Sequence, residues 1–416
     1  LIPDLDLVRA ALARELPATL ALLREWVGIN SFTFHAEGVD TLGRATAAAF
    51  APLGFTAEFV PSAEPRCGHH LFLRRSHPGR PWLLCVSHLD TVFPPAEEAR
   101  QNFRWREAEG RIYGPGVVDI KGGTALLWLQ LRALRAAAPA LFEHFGWAVA
   151  LNATEETIGD DFVQTALARF GDRAVAALVY ESGAWHENEF TLVVARKGRA
   201  QFRVEVAGRG AHAGSRHTEG ANAIAELARL VPLLEAITDP AREITANVGF
   251  VQGGEAINRV PHAAVLEGEL RAYSPENLAA AEAAVLALNG PGVVAAVADG
   301  YRCRVRAAIT GHTSAWPEND GSRRLLAAYT RAGACLSARV VSERRGGLSD
   351  GNLLVPHLPT IDGLGPYGGN AHASEWNDDP GEPKRPEFLD PASLLPKALL
   401  NLVALAELAK ERAPVE

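Results

Sequence analysis

The chain reads as an α/β protein, a mostly parallel sheet flanked by helices, with an α+β domain inserted into it. Three observations predict this. Short continuous apolar runs alternate with helical stretches in the first half; near residue 193 the texture changes to strands that alternate apolar and polar residues; after about residue 313 the first texture returns. At 416 residues the chain is also long for one core, so two domains are expected.

The elements follow in chain order. The opening stretch LIPDLDLVRAALARELPATLALLREW carries Asp4, Asp6, Arg9, Arg14 and Glu15 among its apolar residues, as an amphipathic helix does and a signal peptide does not. The runs PWLLCVS (81–87), FGWAVAL (145–151) and AVAALVY (174–180) have no polar alternation and read as strands buried on both faces. Helices are expected over 122–138 and 160–170. QFRVEVAG then alternates as a half-buried strand, followed by the helix NAIAELARLVPLLEAI and the strands ITANVGFVQG and AAVLEGELRAY. The helix PENLAAAEAAVLAL, with Pro275 at its start, and the strand RCRVRAAIT close the insert. The order β-α-β-β-α-β is ferredoxin-like. A helix over 321–334, strands and glycine-rich turns over 338–363, and the C-terminal helix SLLPKALLNLVALAELAKE complete the chain. The expected organisation is one discontinuous domain (1–192 with 313–416) and one inserted domain (193–312). The proline-rich stretch WNDDPGEPKRPEF is expected to be a surface loop.

Composition excludes several classes. Hydrophobic residues make up 48% and charged residues 22%, with a net charge of −8. No Lys/Arg-rich run is present, so no nucleic-acid partner is expected. No unbroken apolar run approaches the ~18 residues of a membrane span. Cys67, Cys85, Cys303 and Cys335 are scattered without a C-x-x-C pair, which reads as ordinary buried thiols and not a thiolate metal site. That points to the cytoplasm, or to the periplasm if a leader was removed. The chain contains no Met, for which there is no physical account.

Five segments carry candidate chemistry. SHLDTVFPP ends the 81–87 strand and sets His88 and Asp90 two apart; a carboxylate can take the second N–H of a ligating imidazole. IYGPGVVDIKGG surrounds Asp119 with glycines. ALNATEETIGDD places Glu155 and Glu156 at a strand end, where paired carboxylates repel unless a cation is near; one can ligate while the other serves as general base. LVYESG puts Glu181 after another apolar strand, and GLGPYGGNAHASE holds His372 in a glycine-rich loop. Each segment alone also fits a plain polar turn. Together they offer two His, one Asp and two Glu, all suited to zinc, near the strand ends where an open α/β sheet forms its crevice.

Through these motifs the chain resembles the M20 metallopeptidases, from about residue 80 to 375 and in the family's motif order. GPGVVDIKGG and GLGPYGGNAH are nearest to the glutamate carboxypeptidase-like branch. The resemblance implies a zinc-exopeptidase catalytic domain with an inserted lid and dimerisation domain. It implies two zinc ions, with cobalt or manganese as alternatives. His88, Asp119 and Glu181 would hold one ion, and Asp119, Glu156 and His372 the other. Glu155 would be the general base, Asp90 would support His88, and the bond after Asp119 would be cis. In the insert, His212 of GRGAHAGSRHTEGANAIAEL would reach across a dimer and polarise the scissile carbonyl, and Asn258 and Arg271 would meet substrate, with Gly347 of GGLSDGNLL as a backbone donor. The family's acidic-x-Arg pattern often begins with Asp; here it is Glu269-Leu270-Arg271. HTSAWPEND matches no motif. The implied activity is hydrolysis of an amide next to a free carboxylate, releasing a C-terminal amino acid from a peptide or N-acyl amino acid, by a homodimer. The alternatives are an N-acyl-amino-acid deacylase or desuccinylase, and a non-catalytic binding protein on the same fold.

Overall fold

The computed structural model describes residues 3–157 and 159–410. The outermost residues of the expected discontinuous domain, 1–2 and 411–416, and Ile158 lie outside the described residues. The chain forms two compact units: Leu1–Val194 with Glu318–Arg344 and Ser349–Glu416, and Ala195–Pro317 with Arg345–Leu348.

In the first unit a six-stranded sheet runs in the order Thr56–Pro61, His69–Arg75, Gly146–Asn152, Trp82–His88, Ala174–Val179, Thr360–Ile361. The last four are mutually parallel, and the first two pair antiparallel. Every residue of Trp82–His88 and of Gly146–Asn152 is buried, which is why both read as unbroken apolar runs. The helices Leu5–Val27, Lys121–Ala137, Asp320–Cys335 and Leu394–Lys410 contribute to one apolar core on this sheet. Asp4 caps the first of them by accepting N–H from Asp6 and Leu7. Residues 391–410 are long and apolar enough to cross a membrane, which the unbroken-run criterion missed. Here they are core: Lys397 Nζ donates to the Gly363 carbonyl at 2.7 Å and Asn401 Nδ2 to that of Leu364 at 3.0 Å. Those bonds give the Lys397 and Asn401 donors acceptors inside the unit.

The second unit is an antiparallel sheet in the order Thr245–Gly253, Ala263–Ala272, Gly198–Ala207, Arg302–Thr313, Gly290–Ala295. The helices Ala223–Glu235 and Pro275–Leu286 pack on it through Leu227, Leu230, Leu278 and Val285. Two features differ from expectation. Gly290–Ala295 is an additional strand, unreadable from GPGVVA because two glycines and a proline are poor strand formers. It is held from outside: the buried Glu226 carboxylate accepts N–H from Val293 at 2.7 Å and Val294 at 2.6 Å. A β-carbon on Gly292 would lie 2.7 Å from that carboxylate. The unit also extends to Pro317 and captures 345–348, because Lys197 N–H bonds to the Arg345 carbonyl and the Arg196 guanidinium to those of Gly347 and Leu348.

Two smaller expectations are corrected. Cys335 is exposed, at the end of its helix. The loop 376–388 is exposed only until its end, where Pro386, Glu387 and Phe388 are buried. His70, which carries no motif, is fully buried.

Candidate metal centre

The three parallel strands Trp82–His88, Gly146–Asn152 and Ala174–Val179 end on one edge of the sheet, and each delivers ligating side chains there. His88 is the last residue of its strand; Glu155 and Glu156 follow Asn152 by a short turn; Glu181 comes two residues after Val179. A crevice at the carboxyl ends of parallel strands is where such sheets bind ligands. Asp119 enters from the glycine-rich loop before Lys121–Ala137, and the Asp119–Ile120 peptide is cis. That helix approaches the strand ends closely. A β-carbon on Gly123 would sit 2.1 Å from the Tyr180 carbonyl oxygen, so glycine is required there. His372 lies in the loop after Gly368–Gly369, with a left-handed φ of 68°, a costly conformation for a side chain with a β-carbon.

Five residues thus form two groups of donors: His88, Asp119 and Glu181, and Asp119, Glu156 and His372. In each group the donor atoms lie within 4.8 Å of one another. His88 Nε2 is 3.1 Å from Asp119 Oδ1 and 3.7 Å from Glu181 Oε1. His372 Nε2 is 3.4 Å from Asp119 Oδ2 and 3.3 Å from Glu156 Oε2. Asp119 therefore turns one oxygen towards each group. Glu155 is buried beside them, with Oε2 3.9 Å from His88 Nε2.

The electrostatics fit cations. Burial opposes ionisation of Asp119, yet hydrogen bonds from His372 and His88 hold its carboxyl well below the usual range. Burial pulls His88 down, but Asp119, Asp90 and the charges of Glu155 and Glu181 raise it well above its ordinary value. His372 is raised to about 10 by its bonds to Asp119 and Glu156. Burial pushes Glu155 well up, reinforced by the charges of Glu181, Asp350 and Glu156. Four carboxylates with two imidazoles leave an excess of negative charge that divalent ions would neutralise. The nitrogen and oxygen donors suit zinc, cobalt or manganese. The donor set fits two metal ions sharing Asp119.

Asp90 acts differently from expectation. His88 Nδ1 is nearer the Asp90 main-chain carbonyl, at 2.9 Å, than its carboxylate, at 3.5 Å. The carboxylate instead accepts N–H from Glu155 at 3.1 Å and Glu156 at 3.2 Å, and the Thr33 hydroxyl at 2.8 Å. It fixes the turn that presents both glutamates. Further supports carried no local sequence signal. Asn152 takes the N–H of Thr154 on Oδ1 and donates Nδ2 to the buried Asp350. His70 accepts the Ala153 N–H on Nδ1 and so donates from Nε2 to Asp161 at 3.0 Å.

The remaining candidates lie in the second unit. His212 is exposed; its Nδ1 accepts N–H from Gly214 and Ser215, both at 3.1 Å, so the ring proton sits on Nε2. Asn258 is exposed, and its main-chain carbonyl accepts the Ala213 N–H. Arg271 is gripped by Glu269 through Nε at 2.8 Å and Nη2 at 3.2 Å, and its Nη1 donates to the Gly346 carbonyl at 3.0 Å. Gly347 is exposed, with its carbonyl held by Arg196 at 3.0 Å. The geometry within the second unit brings Arg271 to the turn holding Gly347.

Comparison with known proteins agrees with this architecture. Residues 194–290 match the M20 family model for the peptidase dimerisation domain. The chain is 28% identical to carboxypeptidase G2 of Pseudomonas sp. (strain RS-16) over 379 residues, covering 89% of this chain and 87% of that one. It is 28% identical to acetylornithine deacetylase of Proteus mirabilis (strain HI4320) over 275 residues, 62% of this chain and 67% of that one. Its fold matches the M20 family metallo-carboxypeptidase Sso-CP2 from Sulfolobus solfataricus with a TM-score of 0.69, at 15% identity, over 94% of this chain and 99% of that one. With the dimerisation domain, these relatives and the two donor groups in place, the chain carries an M20 peptidase dimerisation domain, is similar to M20 metallopeptidases along most of its length and is a metal-dependent hydrolase.

Proposed function

We propose that the protein is a di-zinc carboxypeptidase of the glutamate carboxypeptidase type, hydrolysing an amide next to a free carboxylate and releasing a C-terminal amino acid. The observation that carries this reading is Asp119 turned towards two donor groups with the buried Glu155 at their edge. Coverage of nearly the whole chain by carboxypeptidase G2 favours this branch. The shorter match to acetylornithine deacetylase supports N-acyl-amino-acid deacylation as a second reading.

In this proposal His88, Asp119 and Glu181 hold one zinc, and Asp119, Glu156 and His372 the other. When bound, the ions supply Lewis acidity and lower the pKa of the attacking water. Glu155 takes a proton from that water and returns it to the leaving nitrogen; burial and the neighbouring carboxylates raise its pKa, which favours its carrying the proton between the two. Asp90 keeps Glu155 and Glu156 in register through their main-chain N–H groups. His212 donates its Nε2 proton to the carbonyl oxygen as charge develops. Arg271, Asn258 and the Gly347 N–H receive the substrate carboxylate, for which a guanidinium fork is well shaped. Arg271 would exchange its Gly346 contact for the substrate. The functional form is a homodimer.

The test is metal analysis of dialysed protein together with hydrolysis of N-acyl-glutamates, other N-acyl-amino acids and dipeptides. About two zinc ions per chain and chelator-sensitive release of glutamate are expected. Preference for N-acetyl substrates would move the protein to the deacylase branch. Glu155→Gln should cut turnover by roughly 10²–10⁴-fold with metal retained; full turnover by that variant would remove Glu155 from the base role.

A further inference from the structure

Glu387 lies 268 residues from Asp119 in sequence, in a stretch that reads as a polar loop, yet its side chain is fully buried. Its Oε1 accepts the N–H of Val118 at 2.8 Å and of Asp119 at 3.0 Å, and its Oε2 faces the Gly116 N–H at 3.4 Å. Its own N–H donates to the Ala373 carbonyl at 2.8 Å, one residue beyond His372, and its carbonyl faces the Gly114 N–H at 3.4 Å. One residue thus bonds to both irregular loops that carry Asp119 and His372. Neither Asp119 nor His372 belongs to a strand or helix, so no regular backbone ladder orients them.

We infer that Glu387 is a positioning residue of the metal centre, clasping the Asp119 loop through its carboxylate and the His372 loop through its main chain. The inference rests on the metal-centre reading above. The physical reason is that buried N–H groups need acceptors. A single carboxylate that collects three of them fixes the loop's main chain, and with it the direction of the Asp119 side chain. Without it, the N–H groups of Val118 and Asp119 would turn to find other partners, and the two Asp119 oxygens would no longer face His88 and His372 together. Groups that orient ligands without touching the metal commonly contribute about 10–100-fold to metal affinity.

The test is Glu387→Gln in the full chain, stripped of metal and titrated with Zn(II) against a competing chelator and with Co(II) followed by its visible absorption. The amide keeps the volume but only one of the two acceptor oxygens, so that either the Gly116 N–H or the Val118 and Asp119 pair faces an NH₂ group. At least about tenfold weaker metal binding and an altered Co(II) spectrum are expected, with circular dichroism unchanged. Leu402→Ala, which weakens the core in the C-terminal helix, serves as the stability control and should bind metal as the wild type does. Wild-type affinity and spectrum for Glu387→Gln would overturn the clasp, as would a loss no greater than that of Leu402→Ala at matched stability. Glu387→Asp, which keeps the charge one methylene shorter, takes the same measurement if Glu387→Gln does not fold, and the same outcomes decide. Failure of the wild type itself to bind metal would instead overturn the metal-centre reading beneath it.

Discussion

His372 donates from Nε2 towards both Asp119 and Glu156, and these bonds raise it to about 10. A metal ligand must be neutral imidazole, so at pH 8 the metal-free chain has to lose a proton from this group to load the ion. The sign is definite. The folded pKa lies above the ordinary value, so the imidazolium–carboxylate contact adds stability that is fully present below pH 6.5 and lost as pH rises through about 10. Metal binding runs the other way and tightens as pH rises through that range. Proton release on zinc addition, followed with an indicator dye in weak buffer, should therefore be seen at pH 8. Its absence would mean that His372 is already neutral in the metal-free protein. Asp90 shows a second residue-scale point: it serves the site less through His88 than through the main chain of Glu155 and Glu156.

At the scale of elements, the sheet strands differ in what holds them. Trp82–His88 and Gly146–Asn152 sit between neighbours on both sides and are buried throughout. The edge strand Gly290–Ala295 depends on a side chain from a helix, because Glu226 takes two of its N–H groups. Replacing Glu226 by Ala orphans them and should cost about 2 kcal/mol or more. Hydrogen exchange should report this locally, as faster exchange of the 290–295 amides with the central strands unchanged. Unaltered exchange there would show that the strand stands without the carboxylate. The same logic separates the legible elements from the others. Long helices and unbroken apolar strands announce themselves by period and composition. The short strands Thr360–Ile361, Gly368–Gly369 and Phe388–Leu389 are two residues each and exist only through their partners.

For the whole molecule, the matched dimerisation domain carries its own surface signal. Phe250 and Val251 on the edge strand Thr245–Gly253 are 46% and 55% exposed, and Ile224 and Leu233 on the helix Ala223–Glu235 are 39% and 47% exposed. An apolar edge strand left open invites pairing with another chain. The proposed homodimer should therefore dissociate when Val251 is replaced by Lys, with sedimentation velocity reporting half the wild-type mass. A dimer that survives that change would place the contact elsewhere. If His212 acts across the dimer, the monomeric variant should also lose turnover while still binding metal.

The sequence by itself determined the fold class, the alternation of elements and the segments that carry candidate ligands, while their division into two donor groups followed from the resemblance to the M20 metallopeptidases. These rest on local facts: burial on both strand faces erases polar alternation, and carboxylates at the ends of apolar strands stand out against it. The tertiary structure alone decided that Asp90 spends its carboxylate on main-chain N–H, that His70 is core, and that Glu387 reaches back to residues 116–119. Each of those is a contact between segments far apart in the chain. Its partner is selected by which buried N–H lacks an acceptor once the chain has folded, and no local pattern in the sequence records that need.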